Sequence, residues 1–246
     1  MCLLPGRTLI CISALAAVIQ ASGKERGSSP APGMERAAAA AARVRPELEQ
    51  ALTALDLHFG DPVFVRAFKE EKLLELFVLN RTHRRYELFR SYPVAASSGS
   101  LGPKLAQGDG QVPEGFYQVE PGAMKPDSRF HLAFNLGYPN AYDRFHHRTG
   151  SAIMVHGNQV SIGCLAMTDP KIEEIYTLCA AALCGGQRSF KVQVLPFRMS
   201  AARMAQAGGQ PWVDFWKNLK QGHDIFERTG IPPEVTVVNG LYQFHK

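Results

Sequence analysis

From Asp61 onward the hydrophobic positions come in short runs. DPVFVRAFK, LLELFVL and YELFRSYPVAA are rich in Val, Phe, Leu and Tyr and are broken by polar turns such as NRTHRR. Runs of this length and composition predict strands. The stretch from Gly99 to Ser128 is dense in Gly and Pro and predicts a long loop with one strand, Gly115 to Glu120, inside it. FHLAFNL (130–136) and SAIMVHG (151–157) predict two further strands. Between them lies GYPNAYDRFHHRT, polar and aromatic, which predicts a loop of the size that carries function on a β scaffold.

Past Cys164 the period changes. Ile172, Ile175, Tyr176, Leu178, Cys179, Ala182 and Leu183 fall on one helical face, with Asp169 expected as N-cap, Pro170 as first helical residue and Gly185–Gly186 as the stop. KVQVLPF predicts a strand, Trp212 to Phe226 a second helix, and Glu234 to Phe244 a closing hairpin turned at Asn239–Gly240. Upstream, Pro46 is expected to open a short amphipathic helix with Leu48, Ala51, Leu52 and Leu55 on one stripe. Residues 24 to about 45, with Ser, Pro and Gly first and alanines at 37–42, read as a flexible or partly helical spacer. No internal repeat is visible. The pattern predicts a β-rich α+β fold with helices mainly in the C-terminal third.

Length and composition add limits. A chain of 246 residues holds one sizeable domain with at most a small addition. Its +5 formal charge fits an anionic neighbourhood, but there is no basic helix, aromatic-interleaved strand or zinc spacing to support nucleic acid as a partner. Arg7 followed by the apolar stretch Leu9–Ile19 and the small residues Ala21, Ser22 and Gly23 predicts a secretory signal peptide over 1–23. That stretch is short of the ~20 apolar residues that span a bilayer, and an uncleaved N-terminal anchor is the alternative. No other stretch is apolar enough to cross a membrane, so no transmembrane segment is expected in the mature chain. The expected organisation is therefore signal 1–23, linker and short helix 24–59, and a catalytic domain 60–246.

Export changes how the cysteines read. Once Cys2 and Cys11 leave with the signal, Cys164, Cys179 and Cys184 remain, and an odd count leaves a thiol to explain. Cys179 and Cys184 sit in one predicted helix at a spacing that turns their side chains apart, so they read as packed residues. Cys164 ends VHGNQVSIGC, eight residues after His156. A thiol acts as a nucleophile as its thiolate, which a nearby imidazole or a helix N-terminus favours. The turn after Gly157 can bring His156 beside Cys164, and the helix opening near Asp169 directs its dipole roughly toward the sulfur. Gly163 lets a carbonyl approach the backbone, so the N–H groups of Gly163 and Cys164 are candidates for an oxyanion hole. Two bland readings stand beside this: His–Gly as an ordinary strand-end turn, and Gly–Cys as packing before a helix. A metal site lacks a third ligand at motif spacing, with His146, His147 and His223 read as surface histidines.

IMVHG followed by SIGCLAMTD resembles the active-site signature of the L,D-transpeptidase (YkuD-type) family, and is most similar to its YafK-like murein L,D-transpeptidase branch. DPVFVRAFKEEKLLELFV, GPKLAQGDGQVPEGFYQVEP, FNLGYPNAYDR, RTGSAIMVHG and VLPFRM extend the resemblance over about residues 60 to 245. Two features depart from the family pattern. Ile162 stands where a histidine usually precedes Gly–Cys, and the Arg or Asn soon after the cysteine is missing; the short His-to-Cys interval is shared with the YafK-like branch. The resemblance implies a β-sandwich-like catalytic domain without metal or organic cofactor. It implies Cys164 as nucleophile toward a diaminopimelate-containing peptidoglycan stem peptide, His156 as general base then acid, the Gly157 carbonyl orienting His156, and Gly163 N–H in the oxyanion hole. Ser161, Tyr142 and Asn140 are expected to contact substrate. An amine acceptor makes the chain a transpeptidase. Water makes it a hydrolase that frees a peptidoglycan-linked outer-membrane lipoprotein, and a non-catalytic wall-binding module is the third reading. The expected location is the periplasm or cell envelope of a Gram-negative-type bacterium.

Overall fold

A computed structural model describes residues 32–245. The expected signal segment, and the expected spacer up to residue 31, lie outside the described residues. In chain order the strands are β1 (Val63–Phe68), β2 (Leu73–Asn80), β3 (Arg85–Pro93), β4 (Gly115–Val119), β5 (Met124–Lys125), β6 (Ala133–Asn135), β7 (Met154–His156), β8 (Leu165–Ala166), β9 (Phe190–Leu195), β10 (Glu234–Val238) and β11 (Leu241–His245). The helices are α1 (Pro32–Thr53), α2 (Ala141–Phe145), α3 (Asp169–Cys184), α4 (Ala201–Gln206) and α5 (Val213–Thr229).

One sheet runs β3-β2-β1-β9-β4, a second runs β5-β6-β7-β8, and β10 pairs with β11 as the expected hairpin. Every residue of β1 is buried because both faces of the larger sheet are covered, which is why VFVRAF reads as a continuous apolar run instead of alternating. On one face Val65, Leu76, Val192 and Val194 meet Phe134, Val155 and Leu165 of the smaller sheet together with Ile172 and Ile175 of α3. The rings of Phe134 and Phe190 touch across the two sheets at 5.2 Å. On the other face Phe68, Leu195 and Phe197 pack with Trp216 and Leu219 of α5 and with Tyr242 of the hairpin. The fold is thus α+β with a sandwich-like heart, as the resemblance implied.

The N-terminal region departs from expectation. Instead of a spacer and a helix opening at Pro46, one helix runs from Pro32 to Thr53 with Pro46 inside it. Alanine is the strongest helix former, so the run 37–42 nucleates what the preceding Ser/Pro/Gly composition concealed. Pro46 costs one backbone bond there. Packing offsets it: Ala37, Ala40, Leu48 and Leu52 are buried in the same core as α3. Among the described residues helices still lie mainly in the C-terminal third, with α1 and the short α2 before it. The segment 137–150, expected as loop, also holds the short α2, closed by a reciprocal capping box between Asn140 and Asp143.

The Gly/Pro-rich segment before β4 is anchored by a buried charge. Glu114 is 0% exposed and accepts from Gly102 N–H at 2.7 Å and Trp216 Nε1–H at 2.7 Å, with Lys69 Nζ at 3.0 Å. A carboxylate at that depth is tolerable only when its lone pairs are filled in this way. The bonds tie the segment to both β1 and α5, and so set the wall above the Cys164 turn.

Candidate active site

β7 and β8 pair in parallel, with Val155 opposite Leu165 and His156 opposite Ala166. Cys164 immediately precedes β8, so it lies one strand over from His156 and two residues back. Its sulfur rests on the β7 backbone: Met154 N–H donates to Sγ at 3.4 Å, and the thiol faces the Ala152 carbonyl at 3.8 Å. A one-residue slip would send the two side chains to opposite faces, so this register is what makes a pair of them.

His156 is 3% exposed. Its Nδ1 lies 2.5 Å from the Gly157 carbonyl oxygen. A carbonyl only accepts, so Nδ1 carries the proton and Nε2 presents the lone pair. The Phe130 ring covers the imidazole at 4.7 Å between centroids. Burial holds the imidazole below its usual pKa, and the Gly157 carbonyl opposes that only in part. Burial likewise pushes the Cys164 thiol up, against the Met154 N–H and the positive charge of Lys104. The helix terminus expected to favour a thiolate is separated from Cys164 by β8, and the resting pair is thiol and neutral imidazole. A thiol and a neutral imidazole can pass a proton during attack by sulfur, without a standing ion pair.

The turn between the two residues is held from three directions. Ser161 Oγ accepts the Cys164 N–H at 3.0 Å and donates to the Cys164 carbonyl at 2.7 Å. Gly163 N–H donates to Ser98 Oγ at 2.7 Å, whose own proton goes to Gly110 O at 2.6 Å. Asn158 N–H donates to Asp169 Oδ1 at 2.7 Å, so Asp169 braces the turn and does not cap α3; Thr168 holds the cap position with a φ of 73° and no side-chain bond. Gly163 has a φ of +79°, and a Cβ there would come within 3.2 Å of Gln111 O. Gly157 is required for space alone, since a Cβ would fall 2.6 Å from Asp169 Oδ1 and 2.8 Å from Phe130 O.

These contacts correct part of the expected roles. The Gly163 and Cys164 N–H groups, expected as an oxyanion hole, each donate to a serine hydroxyl, Ser98 and Ser161 respectively. Ser161, expected to contact substrate, has its hydroxyl engaged on the Cys164 backbone. Of Tyr142 and Asn140, expected along a donor groove, Tyr142 is buried in the core on the α5 side of the larger sheet and Asn140 is half-buried beside it at the start of α2. The Tyr142 ring stacks on Tyr242 at 4.4 Å and 14° under the Arg148 guanidinium, and Asn140 Nδ2 donates to Phe116 O and Tyr242 Oη. His146 bonds Gly240 O and His223 bonds Asp224, which occupies both elsewhere.

Ser98, Lys104, Phe130 and Asp169 form the rest of the site and have no local signal in the sequence beyond their Gly-rich or polar surroundings. Lys104 is 3% exposed, with Nζ held by Ala106 O at 2.8 Å and Asp109 Oδ1 at 2.5 Å. Ile162, two residues before Cys164, is 83% exposed.

The family model of the YkuD L,D-transpeptidase catalytic domain matches residues 63–194, which contain both His156 and Cys164. YafK of Escherichia coli strain K12, provisionally named an L,D-transpeptidase, is 48% identical over 187 residues, covering 76% of this chain and 75% of YafK. Its counterpart in strain O157:H7 matches equally. Among solved structures, the helical cell shape determining protein Pgp2 (K307A mutant) of Campylobacter jejuni is 18% identical with a TM-score of 0.45, covering 69% of this chain and 57% of Pgp2. Bd1075 of Bdellovibrio bacteriovorus is 16% identical with a TM-score of 0.40, covering 73% of this chain and 78% of Bd1075. By the family match and the identity to YafK, the chain belongs to the YkuD-type L,D-transpeptidase family.

Proposed function

We propose that this chain is a peptidoglycan L,D-transpeptidase working through a Cys164 acyl-enzyme. The observation that carries the reading is the Cys164 sulfur lying on the backbone of the strand that ends in His156. Cys164 Sγ attacks the carbonyl at the L-centre of diaminopimelate in a stem peptide while its proton passes to His156 Nε2. The tetrahedral intermediate collapses, the amide C–N bond breaks, and His156 returns the proton to the leaving amine. A second amine then attacks the thioester, giving its proton to His156, and the thiolate leaves and is reprotonated. The Gly157 carbonyl keeps Nδ1 protonated through both halves. The +5 charge suits an anionic wall polymer, and export to the periplasm through the N-terminal segment goes with such a substrate.

Water in place of the amine would make the same thioester a hydrolytic intermediate and free whatever the donor carbonyl was joined to, a wall-linked lipoprotein included. One assay separates the outcomes. The protein is incubated with a disaccharide-tetrapeptide muropeptide, with and without a free amine acceptor, and with lipoprotein-linked muropeptides; products and protein mass are followed. A cross-linked or amine-exchanged product supports the transferase, and released lipoprotein without new cross-links assigns hydrolysis. A carbapenem adduct absent from Cys164→Ala supports the nucleophile. No adduct and no turnover leaves a wall-binding module and overturns the proposal.

A further inference from the structure

We propose that Phe130 is a positioning residue of the reaction, holding the imidazole of His156, and that α1 holds Phe130 in turn through Arg36 and through an Arg43–Glu173–His131 chain. The inference rests on His156 as the base.

Phe130 is 37% exposed, yet its ring lies 4.7 Å, at 31°, from the imidazole of a histidine that is 3% exposed. Its carbonyl presses on Gly157, the residue whose own carbonyl sets the His156 tautomer. The next residue, His131, is left-handed with a φ of 68°. A non-glycine residue there is strained and persists only where its surroundings over-determine it.

α1 supplies that constraint. Arg36 Nη1 donates to both the Ser128 and the His131 carbonyls at 2.8 Å. His131 Nε2 lies 2.7 Å from Glu173 Oε1, and Glu173 is gripped by a two-bond fork from Arg43 at 3.2 and 2.5 Å. Arg36 and Arg43 are two helical turns apart and so share one face of α1. Gly33, at the head of the same helix, packs so closely on Asp127 that a Cβ would come within 2.7 Å of its backbone. Helix, loop and ring form one chain of contacts ending on the base, and α1 lies outside the family-matched residues 63–194. The loop spans only Asp127 to His131, and a ring this exposed adds little to the core, so a purely structural role would leave Phe130 replaceable at no cost to the chemistry.

The ionisable groups around His156 are Cys164 on the adjoining strand, Asp169 and His131 against Gly157, and Lys104 acting on Cys164. All of these remain when Phe130 is shortened, so a change in the imidazole reports the ring. The experiment uses the whole chain as Phe130→Ala, Phe130→Leu, Arg36→Ala and Arg36→Lys. The His156 ring is titrated by NMR, and kcat and KM are followed against pH on a disaccharide-tetrapeptide muropeptide.

In Phe130→Ala, kcat should fall roughly tenfold with KM changed by less than about twofold, as expected when a base is misaimed with substrate binding intact. The imidazole titration and the acid limb of kcat should both move to higher pH as water reaches the ring. Phe130→Leu should recover most of the loss. Arg36→Ala should move both readouts in the same direction by less, and Arg36→Lys should restore part. A folded Phe130→Ala with the parent's titration and kcat overturns the proposal, as does a kcat loss that follows thermal stability alone with the acid limb unmoved. If Phe130→Ala does not fold, Phe130→Leu and Arg36→Ala carry the same decision. Parent-level turnover in His156→Ala would remove the base assignment instead, while the NMR titration would still report whether the ring holds the imidazole.

Discussion

Ser161 and Cys164 are joined twice, the Ser161 hydroxyl accepting the Cys164 N–H at 3.0 Å and donating to the Cys164 carbonyl at 2.7 Å. One hydroxyl thereby holds the peptide groups on both sides of the Cys164 Cα. In Ser161→Ala both bonds go, each worth about 1 kcal/mol net. Carbapenem acylation of Cys164, timed by mass spectrometry, should slow about tenfold, since 1.4 kcal/mol is one decade of rate. A rate within about twofold of the parent would mean that Ser98 and β8 hold the turn without it.

Gly163 combines a φ of +79° with a neighbouring carbonyl 3.2 Å from where a Cβ would stand. Gly163→Ala should cost about 1–3 kcal/mol of stability from the left-handed backbone. It should also depress acylation, because relief of the strain breaks the Gly163 N–H to Ser98 bond. Urea unfolding together with the acylation time course checks this; a variant with unchanged midpoint and rate would contradict the conformational argument.

The two titrating groups set opposite limbs of the pH profile. The imidazole is lowered by burial, and its neutral form is the base, so activity should persist below its usual value of about 6.5 and fall only as pH drops through the lowered one. The thiol is raised by burial, so alkylation of Cys164 by iodoacetamide should accelerate only above the usual thiol value of about 8.5. Rate profiles from pH 4 to 10 measure both. An acid limb at or above the ordinary histidine value, or an alkylation midpoint at or below the ordinary cysteine value, would contradict the neutral resting pair.

Glu114 gives the largest expected loss of stability away from the chemistry. Glu114→Gln keeps the shape and removes the charge facing Lys69, which burial already holds below the usual lysine range despite Glu114. Leaving one partner of a buried pair alone costs about 3–5 kcal/mol. Chemical denaturation should show that loss, and Lys69→Met in the same chain should recover part of it. A Glu114→Gln midpoint equal to the parent's would show the charge to be unnecessary there.

Much of the architecture was legible because it is local. The strands at 63–68, 73–80 and 190–195, the helix from Asp169 and the hairpin at Asn239–Gly240 each carry their own periodicity and turn residues. α1 runs through Pro46, where the local sequence predicts a helix start, because burial of Ala40, Leu48 and Leu52 overrides the local cost of a proline in a helix interior. Tyr142 was misplaced for the complementary reason. An aromatic in a polar loop has the same local signature whether it faces a groove or, as here, stacks on Tyr242 from the far end of the chain.

The sequence by itself singles out Cys164, His156 and the two glycines beside them as candidates, since both side chains and the turn that joins them lie within ten residues. Tertiary structure alone decided what surrounds them. Ser98 on the Gly163 N–H, Phe130 over His156, and Arg36 on the loop that carries Phe130 join residues tens of positions apart. Such contacts depend on strand register and on the docking of α1 against α3, and neither leaves a periodic trace in the chain, because each partner is chosen by the fold and not by its neighbours in sequence.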